Sequence, residues 1–151
     1  MLRPSKKMLF AIEAVLDIAY HAGGEPVQSR EITRRQGIPR RYLEQTLQYL
    51  VRSDILIGVR GPHGGYRLAR ERRRISVGEI VRVVRSMEVA EDMFADVPAS
   101  ELGKEVIRPM WGDLQEEVMR RLDAVSIDDL CQRAHRGGLA SEAREKMDFN
   151  I

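Results

Sequence analysis

Cysteine is almost missing from this sequence, with Cys131 the single example. One thiol cannot close an intramolecular disulfide, so stability must come from a hydrophobic core, and a reducing cytoplasm is the simplest compartment. Aromatic residues are scarce, and histidine occurs only three times. No phosphate loop, nucleophile elbow or His/Glu metal motif can be traced, so catalysis has no visible constellation and an enzyme is not expected. Long apolar runs are lacking too. The longest, Met8 to Ala22, is broken by Glu13, Asp17 and His21. It is an amphipathic helix, too short and too charged to span a bilayer, so no membrane partner is expected. The basic N-terminus has no apolar segment ending in a small-residue cleavage site, and no secretory signal is expected.

What is present suits one compact domain with an extra element: 151 residues, 43% of them hydrophobic. The net charge of +2 hides an asymmetry. Residues 1–85 hold 17 basic and 8 acidic residues, whereas residues 86–151 hold 8 basic and 15 acidic ones. A basic half joined to an acidic half points to a polyanion-binding module carrying something else.

Apolar spacing then orders the chain. Met8, Ile12, Val15, Leu16 and Ala19 predict a helix over residues 6–22, stopped by Gly23-Gly24. His21 falls in its last turn, where a partial positive charge suits the helix dipole. A short helix follows from about Ser29 to Gln36, with Ile32 as inward anchor and Gln28 and Glu31 as a weak capping pair. Gly37 and Pro39 break the chain before a third helix, from about Arg40 to Ser53, whose buried stripe is Leu43, Leu47, Leu50 and Val51. Two helices joined by a glycine turn form a helix-turn-helix, whose second helix enters the major groove. Two β-compatible runs, residues 56–60 and 66–69, flank a Gly/Pro turn and predict a hairpin that would serve as a wing. Ser76 with Glu79 opens a fourth helix to about Met87, and residues 88–100 are an acidic loop.

A longer helix is expected from about Glu101 to Asp123. Ile107, Trp111, Leu114, Val118 and Leu122 step by three and four residues, close to a coiled-coil seam. Pro109 either begins its regular part or kinks it. The stripe is assigned to homodimerisation, against the alternative that it folds back on its own winged domain. A further short helix runs from Ser126-Ile127 to about Gly137-Gly138, and the polar last dozen residues are expected to be poorly ordered.

Candidate DNA contacts come from three places. Arg40, Arg41 and Tyr42 open the recognition helix, with Glu44, Gln45 and Gln48 further along its exposed face. Glu44 suits the N4 amine of cytosine and Gln45 suits adenine. The other reading of Glu44 is an ordinary i,i+4 pair with Arg40 or Gln48. Arg30, Thr33 and Arg34 on the second helix are expected at phosphates, because the first helix of the motif crosses the backbone. In the wing, Gly64 and Gly65 allow close approach of backbone, Arg60 is placed for a groove or a phosphate, and Tyr66 completes the set. His63 is either a DNA contact when protonated or an idle turn residue.

The run from Gly37 to Gln45, containing YLEQ, and the run from Val59 to Ala69, containing RGPHGGYRLA, closely resemble the Rrf2 family. The likeness extends to PVQSREI before the second helix and to RPMWGDLQEEV and SIDDL further on. It implies a dimeric winged helix-turn-helix regulator, most often a repressor, that binds imperfect palindromes in the cytoplasm, associated with the nucleoid. In the family, Tyr42, Glu44, Gln45 and Arg60 match positions used on DNA.

One departure stands out. Many members hold an iron–sulfur cluster through three cysteines in the loop before the long helix, yet residues 88–102 here contain neither cysteine nor histidine. Thiolate ligation in that loop is impossible, and Glu91, Asp92 and Asp96 suit harder metals. No cofactor is expected, and Cys131 is either a structural residue or a redox thiol. The expected fold is thus mainly α. It comprises a winged domain over residues 1–87 with a two-stranded β wing, a loop over 88–100, and a dimerisation helix with a C-terminal segment over 101–151. Its expected partners are operator DNA, a second copy and a small-molecule or protein effector. Two alternatives remain: a winged protein-interaction module without operator specificity, and a redox or iron–sulfur sensor with unconventional ligands.

Overall fold

The computed structural model describes residues 3–88, 98 and 100–143. The first helix, α1 (Lys6–His21), is the hub on which the other elements pack. Ser5 caps it by accepting from the Met8 N–H at 3.2 Å, and Ala11, Ala14, Val15 and Ile18 form its fully buried face. The helix-turn-helix, α2 (Ser29–Gln36) and α3 (Arg40–Arg52), lies against this face. Gly37 makes the turn with φ 66°, a left-handed conformation that glycine adopts without strain. Ile32, Ile38, Leu43, Leu47 and Leu50 all point into the core.

The wing is an antiparallel pair, β1 (Leu56–Val59) and β2 (Gly65–Leu68), registered from Leu56 opposite Leu68 to Val59 opposite Gly65. Val27 adds a two-bond bridge to Tyr66, each N–H reaching the other carbonyl at 2.8 Å. This ties the wing to the segment just before α2. A tight 3-10 turn (Arg72–Arg74) leads to α4 (Val77–Met87), opened by the expected box: Ser76 accepts from the Glu79 N–H at 3.1 Å and Glu79 from the Ser76 N–H at 2.9 Å.

The long helix is less regular than its spacing suggests. Residues Gly103–Ile107 form a π-helical turn, and α5 (Arg108–Asp123) begins after it, with Pro109 in its first turn. Proline has no N–H to donate and its ring crowds the carbonyl one turn back, so a widened turn just before it relieves both demands. The last helix, α6 (Ile127–Arg136), is capped by Ser126 and Asp129 and returns to the winged domain. Its Ile127 and Cys131 are buried in the same core as α1. The acidic stretch at 89–97 and the terminal residues 144–151 lie outside the described residues. Leu139 and the first residues of the stretch expected to be loosely held, 140–143, are instead pinned to α1 and α2 through Tyr20, His21, Arg34 and Arg35.

Candidate nucleic-acid interface

Capping, turn geometry and strand register together build one cationic cleft. Its walls are the start of α2 (Gln28, Ser29, Arg30, Thr33), Arg40 at the start of α3, and the wing from Gly58 to Tyr66, enclosing about 890 Å³. Arg30, Arg40 and Arg60 line it, and no carboxylate does among the described residues. Gln28 Nε2 donates to the Pro62 carbonyl at 3.4 Å, linking the wing turn to α2.

Two wing glycines are there because nothing larger fits. A Cβ on Gly64 would sit 2.2 Å from the Val59 carbonyl oxygen, and one on Gly65 would sit 2.5 Å from that of Val27. Gly64 is buried, so its role is to close the turn, while Arg60 and His63 stand exposed beside it. Tyr66 packs partly against the core and carries the bridge to Val27, so it positions the wing more than it presents a side chain.

Along α3, Arg41, Tyr42, Gln45 and Gln48 are exposed, whereas Thr46 is buried and donates back to the Tyr42 carbonyl at 2.7 Å. Glu44 Oε1 accepts from Arg40 Nε at 2.9 Å, the local pair that competed with base reading. Both partners are largely exposed, and such pairs are weak enough to reopen against a ligand.

On α2 the predicted contacts divide. Arg30 is exposed at the cleft and Thr33 lines it, but Arg34 is held by Glu142 at 3.0 Å. Beside it, Arg35 makes a two-pronged bond to the buried Asp17 at 2.8 and 2.7 Å, and Gln36 donates to the same carboxylate at 2.8 Å. The bond to Asp17 holds Arg35 above its usual range. Gln28, Ser29 and Pro62 enter the cleft without having been picked from the sequence. The signal available for them was the adjacency of the α2 start to a Gly/Pro turn, which becomes spatial only through the Val27–Tyr66 bridge.

The seam on the long helix is also redistributed. Ile107, Leu114 and Val118 are exposed as expected, but Trp111 and Leu122 turn partly inward. Leu102, Val106 and Met110, passed over in the sequence reading, join the exposed face. A π turn carries more residues than an α turn, so it shifts which positions before Pro109, Leu102 and Val106 among them, share that face. Burial pushes the Cys131 thiol up, against the opposing pull of the Arg72 guanidinium, so its thiolate is disfavoured.

A cationic cleft between a wing and a helix-turn-helix, beside an exposed α3 face, defines the class: a winged helix-turn-helix DNA-binding transcriptional regulator. A family model described as "Rrf2: Iron-dependent Transcriptional regulator" matches residues 4–133. The chain belongs to the Rrf2 family. It is 34% identical over 137 residues to the HTH-type transcriptional regulator IscR of Xenorhabdus nematophila, covering 85% of this chain and 79% of that one. It is 30% identical over 126 residues to protein rrf2 of Nitratidesulfovibrio vulgaris, covering 83% and 84%.

Solved structures agree. T. potens IscR superposes with a TM-score of 0.73 at 32% identity, over 92% of this chain and 93% of that one. CymR, the global cysteine regulator of B. subtilis, superposes with a TM-score of 0.70 at 26% identity, over 88% and 98%. The relatives are bacterial transcriptional regulators rather than enzymes, and this protein is a DNA-binding regulator of the same kind.

The donor set fits poorly with the iron chemistry in the family description. The chain has one cysteine, buried in α6, and a thiolate-held cluster needs several. Among the described residues, no group of three His, Cys, Asp or Glu side chains could hold a metal ion. No helix among them is long and apolar enough to cross a membrane.

Proposed function

We propose that this protein binds an imperfect palindromic operator as a homodimer, reads it by inserting α3 into the major groove, and represses by excluding polymerase from that DNA. The cleft holding Arg30, Arg40 and Arg60, with no carboxylate among its described lining residues, is the observation that carries this reading. Arg41, Tyr42, Gln45 and Gln48 meet base edges and flanking phosphates, Arg30 meets the backbone, and the wing reaches the adjacent groove through Arg60 and His63. Glu44 reads a base only by swinging away from Arg40. The uncovered apolar face of α5 supports a two-fold partner, and a symmetric dimer matches two half-sites. Regulation in the cytoplasm proceeds without a thiolate-held cluster, through a small molecule, a partner protein or Cys131, because the donor set does not fit a cluster.

Operator selection from a random-sequence duplex library, followed by titration at several salt concentrations, tests this. Affinity should fall steeply with salt, with a slope of about −0.9 for each phosphate neutralised. Arg60→Ala should weaken binding to every sequence, whereas Glu44→Ala should relax preference at one base pair, a discrimination of about 1–3 kcal/mol. A shallow salt dependence with no enriched palindrome would favour a protein-interaction module instead. Unchanged preference in Glu44→Ala would reduce Glu44 to the ion-pair partner of Arg40.

A further inference from the structure

After α6 the chain turns through Gly137-Gly138 and crosses the end of α1 to reach the end of α2. Three contacts with α1 set its path. The Tyr20 hydroxyl donates to the Leu139 carbonyl, the Ser141 hydroxyl donates to the Tyr20 carbonyl at 2.6 Å, and the Glu142 N–H donates to His21 Nδ1 at 3.1 Å. Held in this way, the Glu142 carboxylate accepts from Arg35 Nη1 at 2.6 Å and from Arg34 Nη2 at 3.0 Å.

The two arginines differ in what else they do. Arg35 is 10% exposed and committed to the buried Asp17, so it belongs to the fold. Arg34 is 63% exposed, sits one residue from the cleft-lining Thr33, and lies on the helix that crosses the DNA backbone in this class of motif. An exposed guanidinium exchanges one oxyanion for another readily, and a carboxylate beside it also repels an approaching phosphate.

We propose that Glu142 is a built-in competitor for DNA. Its carboxylate takes the Arg34 guanidinium that a backbone phosphate would otherwise bind, so freeing the 139–143 strap strengthens the grip of α2 on the duplex. The strap thereby couples the far end of the chain to the DNA-binding face with no movement of the core. This rests on the reading of α2 as a phosphate-contacting helix given above.

The test uses the full chain with Glu142→Gln, Arg34→Gln and the double variant, each titrated with a labelled non-specific duplex across a salt series. Glu142→Gln should bind about three- to tenfold more tightly at low salt, with a salt slope steeper by about 0.9 per protomer. Arg34→Gln should change the parent little but abolish the gain in the Glu142→Gln background, a coupling that the double-mutant cycle isolates. Equal affinity and slope for parent and Glu142→Gln would overturn the proposal. So would an equal loss from Arg34→Gln in both backgrounds, or weaker binding by Glu142→Gln together with a lower melting temperature, which would assign Glu142 to the fold. If the parent itself fails to bind DNA, the proposed function fails; if it binds and the variants match it, only the competition does.

Discussion

Helices α3 and α5 carry the same pattern and meet opposite fates. On α3, Leu43, Leu47 and Leu50 are at most 1% exposed; on α5, Met110, Leu114 and Val118 are 47–50% exposed. Both stripes repeat every three or four residues, so periodicity alone cannot distinguish them. What differs is the number of neighbours offered to each. The stripe of α3 is met by α1, α2, α4 and β1, whereas α5 lies chiefly along α4 and keeps its other side open. A stripe covered by its own chain is core, and one left open is an exposed apolar surface, the kind on which the proposed dimer would form.

The sharpest way to test the contrast is to disrupt each stripe in turn. Leu47→Ala, at a fully buried site, should cost about 2–5 kcal/mol in denaturant unfolding, because the core cannot collapse around the missing atoms. Met110→Glu combined with Leu114→Glu should leave the melting of the winged domain nearly unchanged while converting the proposed dimer to monomers in sedimentation. An intact dimer in that double variant would place the interface on another face and leave the α5 stripe unexplained.

A smaller effect concerns the strap. Burial lowers the pKa of His21, and Arg35 and Arg34 push the same way, while Asp17 and Glu142 pull it up; the net shift is downward from 6.5. The folded state therefore prefers neutral His21, whose Nδ1 can accept from the Glu142 N–H. Its contribution to stability is complete above the unfolded value of about 6.5 and is lost as pH falls through the lower folded value. Glu142 acts in the same direction. Desolvation alone would raise it, but Arg35 and Arg34 hold it below 4.5, so its contribution disappears at still lower pH. Unfolding measured from pH 7 downward should show the first of these losses in the parent and a flatter profile in His21→Asn. Identical profiles would detach His21 from the strap.

Much of the fold was legible because its signals are local. Gly37 and Pro39 mark the turn of the helix-turn-helix, Ser76 with Glu79 marks the start of α4, and Ser126 marks that of α6, and each acts through neighbours in sequence. The exposed residues of α3 were legible for the same reason, since they are what remains once the buried stripe is removed. His21 was read differently: as a partly positive residue favoured by the helix dipole, it turns out to be an acceptor in a crowded site. Glu142 gave no signal, because its partners lie 107 and 108 positions away.

By itself, the sequence determined the class of protein: a basic winged helix-turn-helix with the Rrf2 signature and no cysteine in the loop over residues 88–102. Hydrophobic spacing, caps and turn residues suffice for that, because each is a short-range constraint on the backbone. Only the tertiary structure decided which apolar stripe is buried, how α6 joins the first core, and that the chain returns to place a carboxylate on Arg34. Those outcomes depend on which surfaces meet after collapse, and burial and charge pairing between distant segments are properties of the packed molecule rather than of any stretch of the chain.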